Sequence, residues 1–149
     1  MSNFKRMDFW FAVALAAAAL LANPARAADQ YESHYHFNVV FHTETTIQEV
    51  TWQALNLVDT AQTLYIADHP AQYQEVGQAA LFTGNHPTRG AVIGTMAGFA
   101  LLHYAVTVGI ENLYQQNHDY EVVQRIWQYT NLGYKTYTVV NNHSMGIKP

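Results

Sequence analysis

The sequence contains no cysteine and few charged residues. Because cysteine is absent, the chain has no disulfide framework, no thiolate zinc site and no thiol nucleophile. Charged residues make up 12% of the chain, which is about half of the share found in typical globular domains. The net charge is −4 and basic residues do not cluster, so the composition argues against nucleic acid as a partner.

The sequence also lacks the motifs that mark common enzymes. It has no Ser/His/Asp triad signature, no paired carboxylates at a catalytic spacing, no Walker loop and no Gly-x-Gly-x-x-Gly motif. A hydrolase or a nucleotide-dependent enzyme is therefore not indicated, and no catalytic residue is predicted. The 149 residues leave room for one domain.

The N-terminus has the pattern of a secretory signal peptide. Lys5 and Arg6 precede an apolar run at 9–22, which is shorter than the roughly 20 residues that a membrane span needs. A small-x-small site at 25–27 follows, so we expect a cleaved signal peptide at 1–27. The alternative is an uncleaved anchor helix.

Residues 28–45 alternate between polar and apolar side chains. Period two with aromatic and β-branched residues favours an extended or β segment. His34, His36 and His42 share one face of it, and the first two are expected about 7 Å apart. Imidazoles at that distance suit Zn²⁺ or Cu²⁺. The segment therefore predicts a metal site, and an ordinary polar strand face is the alternative.

The chain continues with a helix predicted at 46–68. Thr46 is its expected N-cap, because Glu49 follows three residues later in the capping-box pattern. A proline directly after the helix ends it. Residues 69–90 contain several Pro and Gly residues, so we expect a loop there, with a short helix at 71–82.

Residues 91–110 are the best transmembrane candidate in the mature chain. They contain no charged residue, and their length matches a hydrocarbon core about 30 Å thick. Gly94 and Gly98 form a small-x-x-x-small step that suits close helix contact. The alternative is the central buried helix of a soluble bundle. A last helix is predicted at 121–140, and a strand is the alternative for its C-terminal half.

These patterns predict an all-α protein, a three-helix transmembrane bundle after an N-terminal signal peptide. The predicted parts are a signal peptide at 1–27, an extended His-bearing segment at 28–45, a helical membrane bundle at 46–142 and a polar tail at 143–149. With the new N-terminus in the periplasm, Arg89 and Lys148 lie inside, as the positive-inside rule requires. The predicted location is the bacterial inner membrane, with a soluble periplasmic protein as the alternative.

Each predicted helix carries a polar stripe on an apolar body. Three such stripes are best satisfied by facing one another in a buried polar seam. The predicted seam consists of Asn56, Asp59, Thr63, His103, Gln128, Asn131, Lys135 and Asn142. An ionisable group in the middle of a bilayer costs about 2.5–3.5 kcal/mol, so we expect Asp59 to pair with Lys135 and His103 to join them. The seam either fixes helix register or forms a proton, ion or small-ligand site.

Spaced motifs run through residues 55–148. They are Asp59-x-x-Gln62-Thr63-x-x-Ile66-Ala67-x-His69-Pro70, Gly84-x-His86-Pro87-Thr88, Arg125-x-Trp127-Gln128-x-x-x-Leu132-Gly133 and Asn142-x-Ser144-x-Gly146-Ile147-Lys148. In order and spacing they resemble a group of small, uncharacterised bacterial and prophage-encoded membrane proteins, which also have a histidine where His103 stands. These relatives tend to have an acid where Lys135 stands, which makes an Asp59–Lys135 pair particular to this chain. The resemblance implies a membrane topology and no activity.

The sequence therefore predicts a small exported inner-membrane protein of structural or interaction type, non-enzymatic and related to prophage proteins. It would lie in the lipid bilayer and pack against itself or a membrane protein partner. One alternative is a periplasmic or membrane protein that binds Zn or Cu through His34, His36 and His42. Another is an intramembrane enzyme or transporter that uses Asp59 and His103.

Overall fold

A computed structural model describes residues 41–76 and 79–148, and this part of the chain is helical without a strand. The helices are α1 (Thr43–Asp68), α2 (Ala80–Thr83), α3 (Arg89–Gln116) and α4 (Glu121–Ser144), and a 3-10 turn at His118–Tyr120 precedes α4. The predicted signal peptide, and most of the predicted extended segment with His34 and His36, lie outside the described residues.

The long helices α1, α3 and α4 pack on one another as an up-down-up bundle. Near its start, α1 meets the start of α4, where Gln124 Nε2 donates to Thr45 Oγ1 at 2.7 Å. Near its end, α1 meets the end of α4, where Asn142 Nδ2 donates to Gln62 Oε1 at 3.3 Å. These two helices are therefore parallel. The end of α3 lies at the start of α1, because Thr45 Oγ1 donates to Glu111 at 2.8 Å, so α3 is antiparallel to both.

The first helix begins earlier than its sequence pattern predicts. The N-cap is His42, with extended backbone and no side-chain capping bond, so residues 43–45, which were predicted to be extended, are helical. Thr46 lies inside the helix, where its hydroxyl donates to the His42 carbonyl at 3.1 Å. The predicted capping box at Thr46 is wrong, because Glu49 turns into the interior of the bundle and lies beside His103.

The other helix boundaries differ from the prediction by a few residues. Thr88 caps α3, since its hydroxyl accepts from the Ala91 amide at 3.2 Å. The helix covers Arg89–Gln116 and so extends beyond the predicted 91–110 at both ends. The last helix continues through its Thr- and Val-rich half to Ser144. Packing against α1 overrides the β propensity there. The predicted helix at 71–82 is reduced to the single turn of α2.

The described bundle buries polar side chains and exposes apolar ones. Gln62, Glu111 and Gln128 are each no more than 1% exposed, whereas Leu57 and Leu101 are 70% and 72% exposed. Other exposed apolar side chains on the long helices are Ile47, Val50, Ile93, Leu102, Val122, Ile126 and Val140. A small apolar cluster of Ala79, Val92 and Met96 lies where the start of α3 packs near the end of α1, in contact with Leu64, Ala67 and Phe99.

Among the described residues, α3 is the one helix long and apolar enough to cross a membrane by length and composition. Gly94 and Gly98 lie exposed on this helix, and a Cβ atom built on either would meet no atom within 4 Å. No other helix of residues 41–76 and 79–148 therefore makes the predicted close contact at this small-residue step.

Candidate functional site

The predicted polar seam lies mainly in the interior of the bundle. Six of its eight residues are buried, namely Asn56, Asp59, Thr63, His103, Gln128 and Lys135. Asn131 and Asn142 are half-buried. The amide of Asn131 bonds to the Trp127 carbonyl of its own helix at 2.7 Å, and Asn142 reaches Gln62 of α1.

Asp59 and Lys135 form a buried ion pair between α1 and α4. Lys135 Nζ lies 2.7 Å from Asp59 Oδ2, and both side chains are less than a tenth exposed. The ammonium also lies 5.3 Å from the centroid of the Trp52 ring, where the negative face of the ring attracts it. The structure thus brings together the two residues whose opposite charges predicted a pair.

His103 joins a different carboxylate from the predicted one. Its Nδ1 lies 3.0 Å from Glu49 Oε2, and both side chains are buried. The imidazole stacks on Trp52 with ring centroids 3.8 Å apart and planes within 5°, and Trp127 lies 5.2 Å away at 25°. His103 is therefore not the direct ion partner of the Asp59–Lys135 pair that was predicted, because its ion-pair contact is with Glu49. It is linked to that pair only through Trp52, which contacts both His103 and Lys135.

A third carboxylate, Glu111, closes the seam at the start of α1. It is fully buried and accepts from the backbone amide of His42 at 2.9 Å and from Thr45 at 2.8 Å. The His42 ring also pairs with it through Nδ1. Three contacts from α1 and its N-cap therefore hold this carboxylate in the interior, where a charge is stable only when it is paired or hydrogen-bonded.

Several buried polar atoms in the interior of the bundle have no hydrogen-bond partner among the described residues. They are Gln48 Oε1, Glu49 Oε2, Asn56 Oδ1, Gln128 Oε1 and both ring nitrogens of His103. The His103–Glu49 contact is within ion-pair distance without being a hydrogen bond. Close by, the Thr107 hydroxyl accepts from Trp127 Nε1 at 3.1 Å and from Gln128 Nε2 at 3.5 Å. Each unsatisfied buried polar group costs about 1–3 kcal/mol, so we expect ordered water to satisfy these atoms.

Sequence reasoning missed the half of the seam nearest the start of α1. The missed buried residues are Thr45, Gln48, Glu49, Glu111 and Gln124. The signal was present in the spacing, since Thr45, Glu49, Trp52, Asn56 and Asp59 follow steps of four, three, four and three. That is the period of one helix face, and it continues the predicted stripe toward the N-terminus.

The predicted metal face is only partly within the described residues. His34 and His36 lie outside them, and His42 caps α1 and pairs with Glu111. In residues 41–76 and 79–148, no group of three or more His, Cys, Asp or Glu side chains is arranged to hold a metal ion. The zinc or copper site stays a prediction from the sequence.

Comparisons with family models, with curated proteins and with solved structures found no match to this chain. The resemblance to small prophage-encoded membrane proteins therefore stays a prediction from motif spacing. Function has to be argued from the seam and from the outer surface of the bundle.

Proposed function

We propose that the chain is a non-enzymatic integral protein of the bacterial inner membrane, in which α1, α3 and α4 all cross the bilayer. The observation that carries this proposal is the reversal of polarity between the interior and the surface. In water, exposing Leu57 and Leu101 while burying Gln62 and Gln128 would be unfavourable on both counts. In a bilayer both arrangements become favourable, because exposed apolar side chains contact lipid and buried polar side chains bond to one another.

The outer surface of the described helices supports the proposal through an uncharged band. Within α1, α3 and α4, exposed charged side chains occur only near the helix ends, at Glu44, Asp68, Arg89 and Arg125. The charged residues in between are buried. The helices have 26, 28 and 24 residues, and at about 1.5 Å per residue each is longer than a hydrocarbon core of about 30 Å.

The test is fractionation of the full chain expressed in bacteria, followed by an alkaline carbonate wash and mass determination. The protein is expected to remain in the inner-membrane pellet, and its mass to match a chain that begins at Ala28. Release into the wash would reject the membrane proposal and favour a soluble periplasmic bundle. Retention with the mass of the uncleaved chain would reject only the signal peptide.

The outward face of α3 supports an interaction role, with a second copy of the chain as the partner. Gly94 and Gly98 let another helix approach closely, and nothing in the described part of the chain covers them. Because this face carries no charge, two identical faces can meet without repulsion. Packing of helices in the membrane is therefore the activity that we assign to the surface.

Replacing Gly94 and Gly98 together by Leu is expected to lower the dimer fraction without changing the stability of the bundle. The added side chains block close approach of a second helix, while the chain itself has open space there. Energy transfer between labelled copies in vesicles measures the dimer fraction. Gly133→Leu is the control, since Gly133 is also exposed and open but lies on α4. An unchanged dimer fraction, or a wild-type chain that is monomeric throughout, would reject self-association.

A further inference from the structure

The polar seam places ionisable groups at successive levels along the bundle. Glu111 lies at the level of the start of α1, through its bond to Thr45. One turn further along α1 comes Glu49, which lies beside His103. Asp59 with Lys135 follows ten residues later, about 15 Å further along the helix axis. The interior thus carries titratable groups through much of the thickness that a bilayer would have.

His103 is the group in this series best suited to receive and pass on a proton. Its side chain is 3% exposed, and neither ring nitrogen has a hydrogen-bond partner among the described residues. An imidazole exchanges protons in the physiological pH range and has two nitrogens, so it can accept a proton at one and release it at the other. In this position the ring is shielded from bulk water and has the Glu49 carboxylate 3.0 Å from its Nδ1.

The charged groups around His103 act in opposite directions. From α1, Glu49 faces it at ion-pair distance, and Trp52 stacks on it; a carboxylate and an indole face both attract an imidazolium ion. From α4, Lys135 lies over the same Trp52 ring and repels a second positive charge. On α3 itself, Glu111 lies two turns away and is held by His42 and Thr45.

Unsatisfied acceptors lie beside this group and further along the seam. Gln48 Oε1 and Gln128 Oε1 belong to the residues around the Glu49–His103 level, and Asn56 Oδ1 lies between that level and Asp59. Buried acceptors of this kind are normally satisfied by water. Water that donates to them would also link one ionisable level to the next, which is the connection that proton transfer requires.

We propose that the seam is a path for protons across the membrane, with His103 as the carrier and Glu49 as its exchange partner. The Glu49 carboxylate takes up a proton from water and passes it to Nδ1 of His103, which becomes imidazolium while Glu49 returns to its carboxylate form. His103 then releases the proton on Nε2 to water on the other side. A flip of the neutral ring restores the starting arrangement, so one proton crosses and no electron is transferred. This inference rests on the proposed function, in which α1, α3 and α4 span the bilayer.

The test uses the full chain reconstituted in vesicles of phosphatidylcholine and phosphatidylglycerol that enclose a pH-sensitive dye. A potassium gradient with valinomycin sets the membrane potential. Wild-type protein is expected to give proton flux well above that of protein-free vesicles, and His103→Asn is expected to abolish the increase. Glu49→Gln is expected to reduce the flux and change its pH profile. His143→Asn, at an exposed histidine near the end of α4, is the control and is expected to keep the full flux.

The outcomes separate this inference from the proposed function. Vesicles that carry the protein on flotation but show no wild-type flux, or the same flux for His103→Asn, would overturn the proton path and leave the membrane proposal standing. Failure of the protein to float with the vesicles would overturn the membrane proposal itself. If His103→Asn does not fold, tryptophan fluorescence of the folded wild type gives a second measurement. Imidazolium quenches a stacked indole, so a pH-dependent signal that Trp52→Phe removes is expected, and a signal independent of pH would reject proton exchange at His103.

Discussion

Replacing Asp59 by Asn, or Lys135 by Met, is expected to lower the free energy of unfolding by about 3–5 kcal/mol, because either change leaves one buried charge without its partner. The pair has an Nζ–Oδ2 distance of 2.7 Å and is nearly inaccessible. Unfolding of each variant, measured in the detergent or bilayer in which the wild type is folded, gives the size of the loss. The two single variants are expected to lose similar amounts.

The double variant Asp59→Asn with Lys135→Met is expected to recover much of that loss, because no unpaired charge then stays in the interior. The exposed pair of Arg89 and Asp68, with an N–O distance of 2.6 Å, is the matched control. Replacing either of its members is expected to cost less than about 1 kcal/mol, since solvent screens the pair. Single-variant losses that simply add in the double variant would contradict a direct Asp59–Lys135 interaction.

Replacing Leu101 by Arg is expected to remove most of the protein from the membrane fraction. Leu101 is 72% exposed and lies near the middle of α3, on the face that also carries Gly94 and Gly98. In the proposed topology the charge would therefore lie on the apolar outer surface at the centre of the bilayer. Such a residue costs about 2.5–3.5 kcal/mol on insertion scales. Immunoblotting of the washed membrane pellet measures the effect.

The control for this change is Gln116→Arg, at the exposed end of the same helix. There the long side chain reaches water, and the amount in the membrane is expected to stay near that of the wild type. In a water-soluble bundle, a substitution at an exposed site such as Leu101 would alter stability by only about 0.5 kcal/mol. Normal levels of folded Leu101→Arg protein would therefore contradict the membrane proposal.

Helix spacing alone predicted three long helices and the residues that α1 and α4 turn toward each other. Asp59 was identifiable because it is the lone charged residue of a largely apolar stretch, and Lys135 because it is the residue of opposite charge in the polar stripe of the last helix. Because an ionisable residue in a membrane-spanning helix costs free energy, such residues can be picked out without any knowledge of the fold. The three-helix arrangement follows from the same stripes, since each needs a polar partner.

The Glu49–His103 contact could not be assigned from spacing, because Glu49 also fits a capping box that begins at Thr46. Local sequence cannot choose between these two roles, since the choice depends on where α1 starts. The start at Thr43 brings Glu49 into the second turn and rotates it toward α3. Only the packing of α1 on α3 determines that rotation, and capping residues are a weaker constraint than burial of two ionisable groups.

The position of Lys135 in the last helix has a consequence for biosynthesis. Its partner Asp59 precedes it by 76 residues, whereas Glu49 finds His103 as soon as the hairpin of α1 and α3 exists. During translation, the hairpin of α1 and α3 therefore already contains the Glu49–His103 contact, while Asp59 still lacks Lys135. A product truncated before α4 would leave the Asp59 carboxylate without the ammonium ion that lies 2.7 Å from it in the folded chain.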